Sequence, residues 1–421
     1  MPAGDDAAVA PTIGSWFREL QGAEPRALTA ISVGAAVFEI EQRVQAGHAL
    51  RRVEISVYGA EACSYALDAL GRILRDVLLF VLVRDLEIGF VRMPFQAVLE
   101  DMSVQVPTPP QLCLFSGGID SFSGSLLAGE KYPGTEAVFC AHADQSHLIR
   151  IVENLKGRLS KHGVSTETVR VPRMGSRGYM QLRGFLYVLA AGLRMAITGA
   201  DTLVVTECGP TMFQPRFSPV DSVTMTTHPE VLRAARGALE VILGRTIRVL
   251  TPFANLTKAE VVALSPDQTG VGRTHSCISQ RFGDHDGTCY GCVIRRLATI
   301  AADSPDVEYR RDPLSDERAN AGNLMTLLSF GHDILTRYAE MEDYEKGAIE
   351  QFGKRSLFRR FALDNFAAIH RLVAQDQRLR SDVRRLYDFA RTAIGSDRLE
   401  KRLDALQRKS FRPDWRVEVP L

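Results

Sequence analysis

The sequence predicts an α/β fold: a doubly wound, five-stranded parallel sheet, preceded by an α+β segment and followed by a helical one. Three observations predict it. Between residues 109 and 306, short apolar runs alternate with helical patterns, the signature of βαβ units. The first of these runs passes straight into a Ser-Gly-Gly turn that opens a helix. From about residue 307, apolar residues recur three and four positions apart, the spacing of helices that bury one face.

The chain has 421 residues, 45% of them hydrophobic and 24% charged, which is ordinary globular composition and too long for one small domain. Three segments are expected, 1–108, 109–306 and 307–421. In the first, alternating stretches at 52–58 and 86–93 predict strands, and an amphipathic stretch at 61–82 predicts a helix. Pro107-Thr-Pro-Pro110 ends the segment, because proline favours extended backbone and forbids helix. In the second, strands are expected at 112–115, 137–141, 166–171, 202–206 and 247–250. Helices are expected between and after them, at 121–127, 146–160, 179–197, 229–243 and 258–264. In the third, helices are expected at 324–338 and 357–372. Ligands of doubly wound sheets sit at the carboxyl ends of the strands, so residues just after each strand are the first candidates for function.

Composition also excludes. No run of about eighteen apolar residues is available to span a bilayer. The N-terminus, MPAGDDAAVAPTIG, carries two Asp and no basic residue before its apolar part, unlike a signal peptide, so a soluble cytoplasmic protein is expected. The 51 basic and 50 acidic residues make no general case for nucleic acid. Residues 351–421 are nevertheless basic, with 17 Lys/Arg against 9 Asp/Glu, which suits either a docking surface or a solvated helical face. Seven cysteines, three of them clustered, point to a metal site rather than to a disulfide framework.

The chemistry begins at Leu112-Cys-Leu-Phe-Ser116-Gly117-Gly118-Ile119-Asp120-Ser121. Adjacent glycines bend the backbone and turn several N–H groups toward one point, and the helix behind them adds its dipole; such a loop suits phosphate. Ser116 and Ser121 add hydroxyl donors, and Asp120 can hold Mg²⁺ or cap the helix. The loop is neither a Walker A motif nor a dinucleotide GxGxxG. Downstream, Cys289-x-x-Cys292 has chelating spacing, and Cys277 lies nearby in Thr274-His-Ser-Cys277. His285 and Asp286 are both available as a fourth ligand; imidazole suits structural zinc better than carboxylate, so Cys277, His285, Cys289 and Cys292 are the favoured set. A redox or catalytic Cys pair is the rival reading of the cysteines.

Ser-Gly-Gly-Ile-Asp-Ser resembles the pyrophosphate loop of the ATP pyrophosphatases, which split ATP into AMP and pyrophosphate while adenylating a substrate. Within that family, Thr257-Lys258-Ala-Glu260 and the Cys277/Cys289/Cys292 segment resemble QueC, the 7-cyano-7-deazaguanine synthase. Arg183-Gly-Phe-Leu-Tyr resembles QueC's Arg-Asn-x-x-Phe, with Gly184 in place of Asn. The resemblance covers about residues 109–302 and implies an ATP-dependent ligase with ATP, Mg²⁺ and Zn²⁺. It implies ATP contacts at Ser116, Gly117, Gly118, Asp120, Ser121, His142 and Lys258. Catalytic roles fall to Lys258, Asp120 and Arg183, and substrate contacts to Arg183 and Glu207, in Glu207-Cys-Gly-Pro after a strand. The substrate implied is 7-carboxy-7-deazaguanine. A segment like Met225-Thr-Thr-His228-Pro and the added ends are similar to long QueC-like proteins of bacterial antiviral operons (the Qat systems and type IV CBASS). That likeness implies a protein from the same operon, offering its N-terminal amine, as acceptor. Release of the free nitrile made with ammonia, or modification of tRNA, are the alternatives.

Overall fold

The structure is a computed structural model and describes residues 5–9, 25–93, 107–142, 146–171, 181–213, 225–278 and 285–419. The first segment alternates strand and helix: β1 (Asp5–Val9), α1 (Pro25–Gln45), β2 (Leu50–Tyr58), α2 (Leu67–Leu82) and β3 (Glu87–Met93). The strands pair in the order β1-β2-β3, all parallel, so each helix is a crossover and the expected α+β segment has βαβ connectivity. The expected strands appear as β2 and β3, and the amphipathic stretch becomes a 3-10 turn running into α2. α1 was not expected. It is buried on almost every side, so it lacks the polar face that makes a helical period visible.

The second segment contains β4 (Leu112–Phe115), α3 (Ile119–Lys131), β5 (Glu136–His142), α4 (Ser146–Lys161) and β6 (Ser165–Val171). It continues through α5 (Arg183–Thr198), β7 (Thr202–Val204), α6 (Gly209–Met212), α7 (Pro229–Leu243) and β8 (Arg248–Leu250), and ends in α8 (Lys258–Leu264), α9 (Gln268–Val271) and α10 (Tyr290–Ala302). The five strands form one parallel sheet in the order β6-β5-β4-β7-β8. The chain moves outward from β4 to β6, then returns to the other side of β4, which opens a crevice at the carboxyl ends of β4 and β7.

The third segment adds α11 (Gly322–Thr336), α12 (Asp343–Gln351), α13 (Arg355–Ala374), α14 (Ser381–Ile394) and α15 (Ser396–Gln407). α13 packs on α10 and α11, and α15 packs on α13 and α8. The end of the chain covers the free edge of β8: Thr251 N–H donates to Val417 O at 2.8 Å, and Val419 N–H to Val249 O at 2.9 Å. A single apolar cluster runs through all three segments, from Val33 and Leu74 through Leu189 and Leu239 to Phe358 and Leu399. No helix among the described residues is long and apolar enough to cross a membrane.

The first segment reaches the crevice through α1, which packs along α5. Its Glu41 is fully buried and accepts hydrogen bonds from the Gln181 and Leu182 amides, at 2.5 and 2.9 Å, just ahead of α5. Burial pushes its pKa up to about 7, although the two amides and Arg183 pull the other way. Between the ordinary value of 4.5 and about 7, the folded chain keeps a proton that the unfolded chain has released, so stability falls as pH rises through that window. This group alone accounts for about 3 kcal/mol of that fall. Glu41→Gln is expected to lose this slope relative to the parent chain in urea unfolding followed from pH 4.5 to 7. Parallel stability–pH curves for the two proteins would contradict the assignment.

Candidate active site and metal centre

At the end of β4 the chain makes its Ser116-Gly117-Gly118 turn and enters α3. Gly117 has φ of 77°, a left-handed conformation that side chains disfavour, which lets the chain turn sharply from β4 into α3. The two serines brace the turn. The Ser116 amide donates to Ser121 Oγ at 3.1 Å, and that hydroxyl donates to Gly118 O at 3.1 Å.

Three residues far apart in sequence meet here because β4, β7 and β8 are neighbours. Asp120, in the first turn of α3, is almost fully buried. Its Oδ2 accepts from Lys258 Nζ at 2.6 Å and from the Cys208 amide at 3.1 Å. Its Oδ1 is buried and has no hydrogen-bond partner among the described residues. Glu207 lies 4.0 Å from Lys258 Nζ. Burial first, then the neighbouring Asp120 carboxylate, pushes Glu207 up to about 8, well above the usual carboxylate range. Burial alone would lower the Lys258 pKa; Asp120 leads the groups that oppose it, and the net shift is upward. A cation at a helix N-terminus is a poor match for the dipole, and in this structure Asp120 supplies the compensating anion for Lys258.

Arg183 opens α5 on the same cavity, with its Cζ 5.9 Å from the Tyr187 ring centre and its buried Nε without a hydrogen bond among the described residues. The cavity holds about 550 Å³, and its wall includes Ser116, Asp120, Glu207, Lys258 and Arg183. Gly184, in the Arg183-Gly-Phe-Leu-Tyr motif, has a local cause: a Cβ there would lie 1.6 Å from Thr226 O. The segment carrying Thr226 therefore crosses where a side chain would stand. His228, further along it, is a helix cap whose Nδ1 accepts from Glu230 N–H at 3.2 Å, with its ring between Phe80 and Phe352. His142 ends β5, and its side chain lies outside the described residues.

Cys277, Cys289 and Cys292 come together as expected, with Cys289 capping α10 and Cys292 in its first turn. Their sulfurs and a carboxylate oxygen of Asp286 all lie within 4.8 Å of one another. The fourth member of this cluster is Asp286, where His285 was expected. His285 is held elsewhere: its Nε2 accepts from the Ser276 amide at 3.1 Å, and its ring packs on His275 and Tyr309. Asp286 is in turn fixed by the Thr288 and Cys289 amides, which donate to its Oδ1 at 2.8 and 3.1 Å. Three buried sulfurs with one carboxylate suit a metal such as zinc. Among the thiols, Cys277 is the largest cause that pushes Cys289 up to about 11, against an opposing hydrogen bond from Cys292, and Cys277 leads the causes that raise Cys292. A bound cation reverses that balance, because it favours thiolates.

The metal segment is tied to the phosphate-type loop. The His275 amide donates to Gly117 O at 2.8 Å. Arg295, fully buried, pairs with Asp306 at 2.8 Å and donates to Thr274 O and Val271 O at 3.0 and 2.7 Å. His275 lay inside a motif read from the sequence and Arg295 three residues beyond another, but neither was given a role there. Glu41 and the Cys208 amide left no sequence signal at all, since a lone buried carboxylate and a backbone N–H belong to no motif. A scan against protein-family models gives no match to this chain, and a search of curated proteins gives none either.

Asp286→Ala is expected to lose metal on dialysis against a chelator, whereas His285→Gln keeps it, with zinc per chain measured by plasma mass spectrometry. The reverse pattern would restore His285 to the ligand set.

Proposed function

We propose that this chain is an ATP pyrophosphatase of the QueC-like kind, an ATP-dependent carbon–nitrogen ligase acting on 7-carboxy-7-deazaguanine. The observation that carries the reading is the convergence of the Ser-Gly-Gly turn, Asp120 and Lys258 on one cavity at the carboxyl edge of the sheet. The strand order, with its reversal beside β4, supports the doubly wound form of the fold.

In this reading a substrate carboxylate oxygen attacks the α-phosphorus of ATP, and pyrophosphate leaves. The amine then attacks the acyl carbon, AMP departs with the bonding electrons, and an amide forms. The chain mainly positions groups and neutralises charge. The loop amides and Lys258 face the departing pyrophosphate. Mg²⁺ held by Asp120, whose buried Oδ1 suits a hard cation, would supply further positive charge there. Arg183 is placed to take the substrate carboxylate or a phosphate. Ionised Glu207 accepts hydrogen bonds from the N–H groups of the deazaguanine ring. Cys277, Asp286, Cys289 and Cys292 would hold zinc, which would keep the segment beside the loop in shape. The acceptor is the N-terminal amine of a partner protein in an antiviral system.

Lys258→Ala and Asp120→Asn are each expected to lower AMP formation from ATP and 7-carboxy-7-deazaguanine by about 100-fold or more. Unchanged ATP consumption in either variant would refute the site. Because Glu207 ionises only as pH rises through about 8, substrate affinity is expected to strengthen through that range and to be flat with pH in Glu207→Gln. Mass spectrometry of the products separates the alternatives. Free nitrile with ammonium alone would make the chain a small-molecule synthase, and amide formed only with a partner protein supports the ligase.

A further inference from the structure

The start of α8 carries Lys258, and a buried ionic network shared with the third segment holds this helix end. Thr257 caps the helix: its hydroxyl accepts from the Glu260 amide at 3.2 Å, and its own amide donates to Glu260 Oε2 at 2.9 Å. That capping box is closed by side chains from α13 and α15. The Thr257 hydroxyl donates to Asp364 Oδ2 at 2.5 Å. Arg402 bridges both acids, donating to Asp364 Oδ1 at 2.6 Å and to Glu260 Oε1 at 2.6 Å. Arg360 donates to Glu260 Oε1 at 2.9 Å and to Asn255 O at 2.6 Å. Thr257, Glu260, Asp364 and Arg402 are each more than nine-tenths buried. Two carboxylates thus meet two guanidiniums without net charge.

Buried ion networks add little stability compared with apolar packing, but they admit few geometries, and removing one member leaves a buried charge exposed to its absence. The capping box alone would cap the helix; the extra guanidiniums instead fix its direction, and so the place where the Lys258 ammonium reaches across to Asp120. We propose that Arg402 and Asp364, from the third segment, are positioning residues that set Lys258 against the Ser-Gly-Gly turn for anion binding. The helical segment is then part of the site's framework, whatever else docks on its outer surface. The inference rests on the reading of this cavity as an ATP site.

The test uses the full chain. Removing Arg402 alone strands Asp364, since Glu260 keeps Arg360, so the informative variant is the charge-balanced Arg402→Met/Asp364→Asn, in which Asn keeps an acceptor for Thr257. Calorimetric titration with Mg·ATP is expected to show affinity weakened at least about tenfold, with kcat/KM down by about 100-fold, as for a group misplaced by an ångström. The thermal midpoint and zinc content should be unchanged. Adding Lys258→Ala to the double variant should weaken ATP no further than Lys258→Ala does by itself, because both act through one ammonium. Wild-type affinity in the double variant, or losses that simply add to Lys258→Ala, would overturn the proposal. Acylation of Lys258 by an amine reagent, followed by peptide mass spectrometry, reads its placement without ATP. If wild type binds no ATP while the double variant changes this reactivity, the ATP reading fails and the positioning stands. If reactivity is also unchanged, both fail.

Discussion

The contact on which the site depends is the ion pair between Lys258 and Asp120, 2.6 Å apart and mostly removed from water. A charge in that setting is tolerated only with its partner, and removing one member of such a buried pair costs about 3–5 kcal/mol. The pair links the helix that follows β4 to the helix that follows β8, across the width of β7. It therefore requires the sheet to be complete and both helix ends to be fixed. Glu207, from the loop after β7, completes the cluster and bears its cost as a raised pKa.

Each flank of the sheet helps to hold that arrangement. On the α5 side, Glu41 accepts the two amides just ahead of the helix that carries Arg183. On the α8 side, Arg402, Asp364 and Arg360 close the capping box beside Lys258. The segments at the two ends of the chain thus act on opposite walls of one cavity, through buried polar contacts whose geometry is narrow. Their continuity with the central core explains why the apolar cluster is not divided between them.

The metal cluster is connected to the same loop by a short relay. The segment from Thr274 to Cys277 ends on a sulfur of the cluster and donates its His275 amide to Gly117 O. Arg295 clamps the segment from behind, and the His285 ring nitrogen receives the Ser276 amide. The cysteine cluster is thereby linked to the backbone of the turn over a few bonds. His285 contributes to that order as a backbone partner rather than as a ligand.

What the sequence determined by itself was local. Apolar runs and helical periods located the five strands of the main sheet and, around it, α3, α4, α5, α7 and α8, because those signals depend only on near neighbours; the short α6 and α9 were not among them. The strand–Ser-Gly-Gly–helix unit and Cys289-x-x-Cys292 were legible for the same reason, since each completes its chemistry within a few residues. α1 was not legible, because a helix buried on every side shows no face. The choice of Asp286 over its neighbour His285 depended on Ser276 and Tyr309, residues that approach from outside the segment. Gly184 looked like a departure from pattern until the passage of Thr226 across it supplied the reason. The pairing of Lys258 with Asp120 and the network around Arg402 were decided only in the tertiary structure. Their partners stand 138 and 142 residues apart, and charge selects a partner by distance in space, which no pattern along the chain encodes.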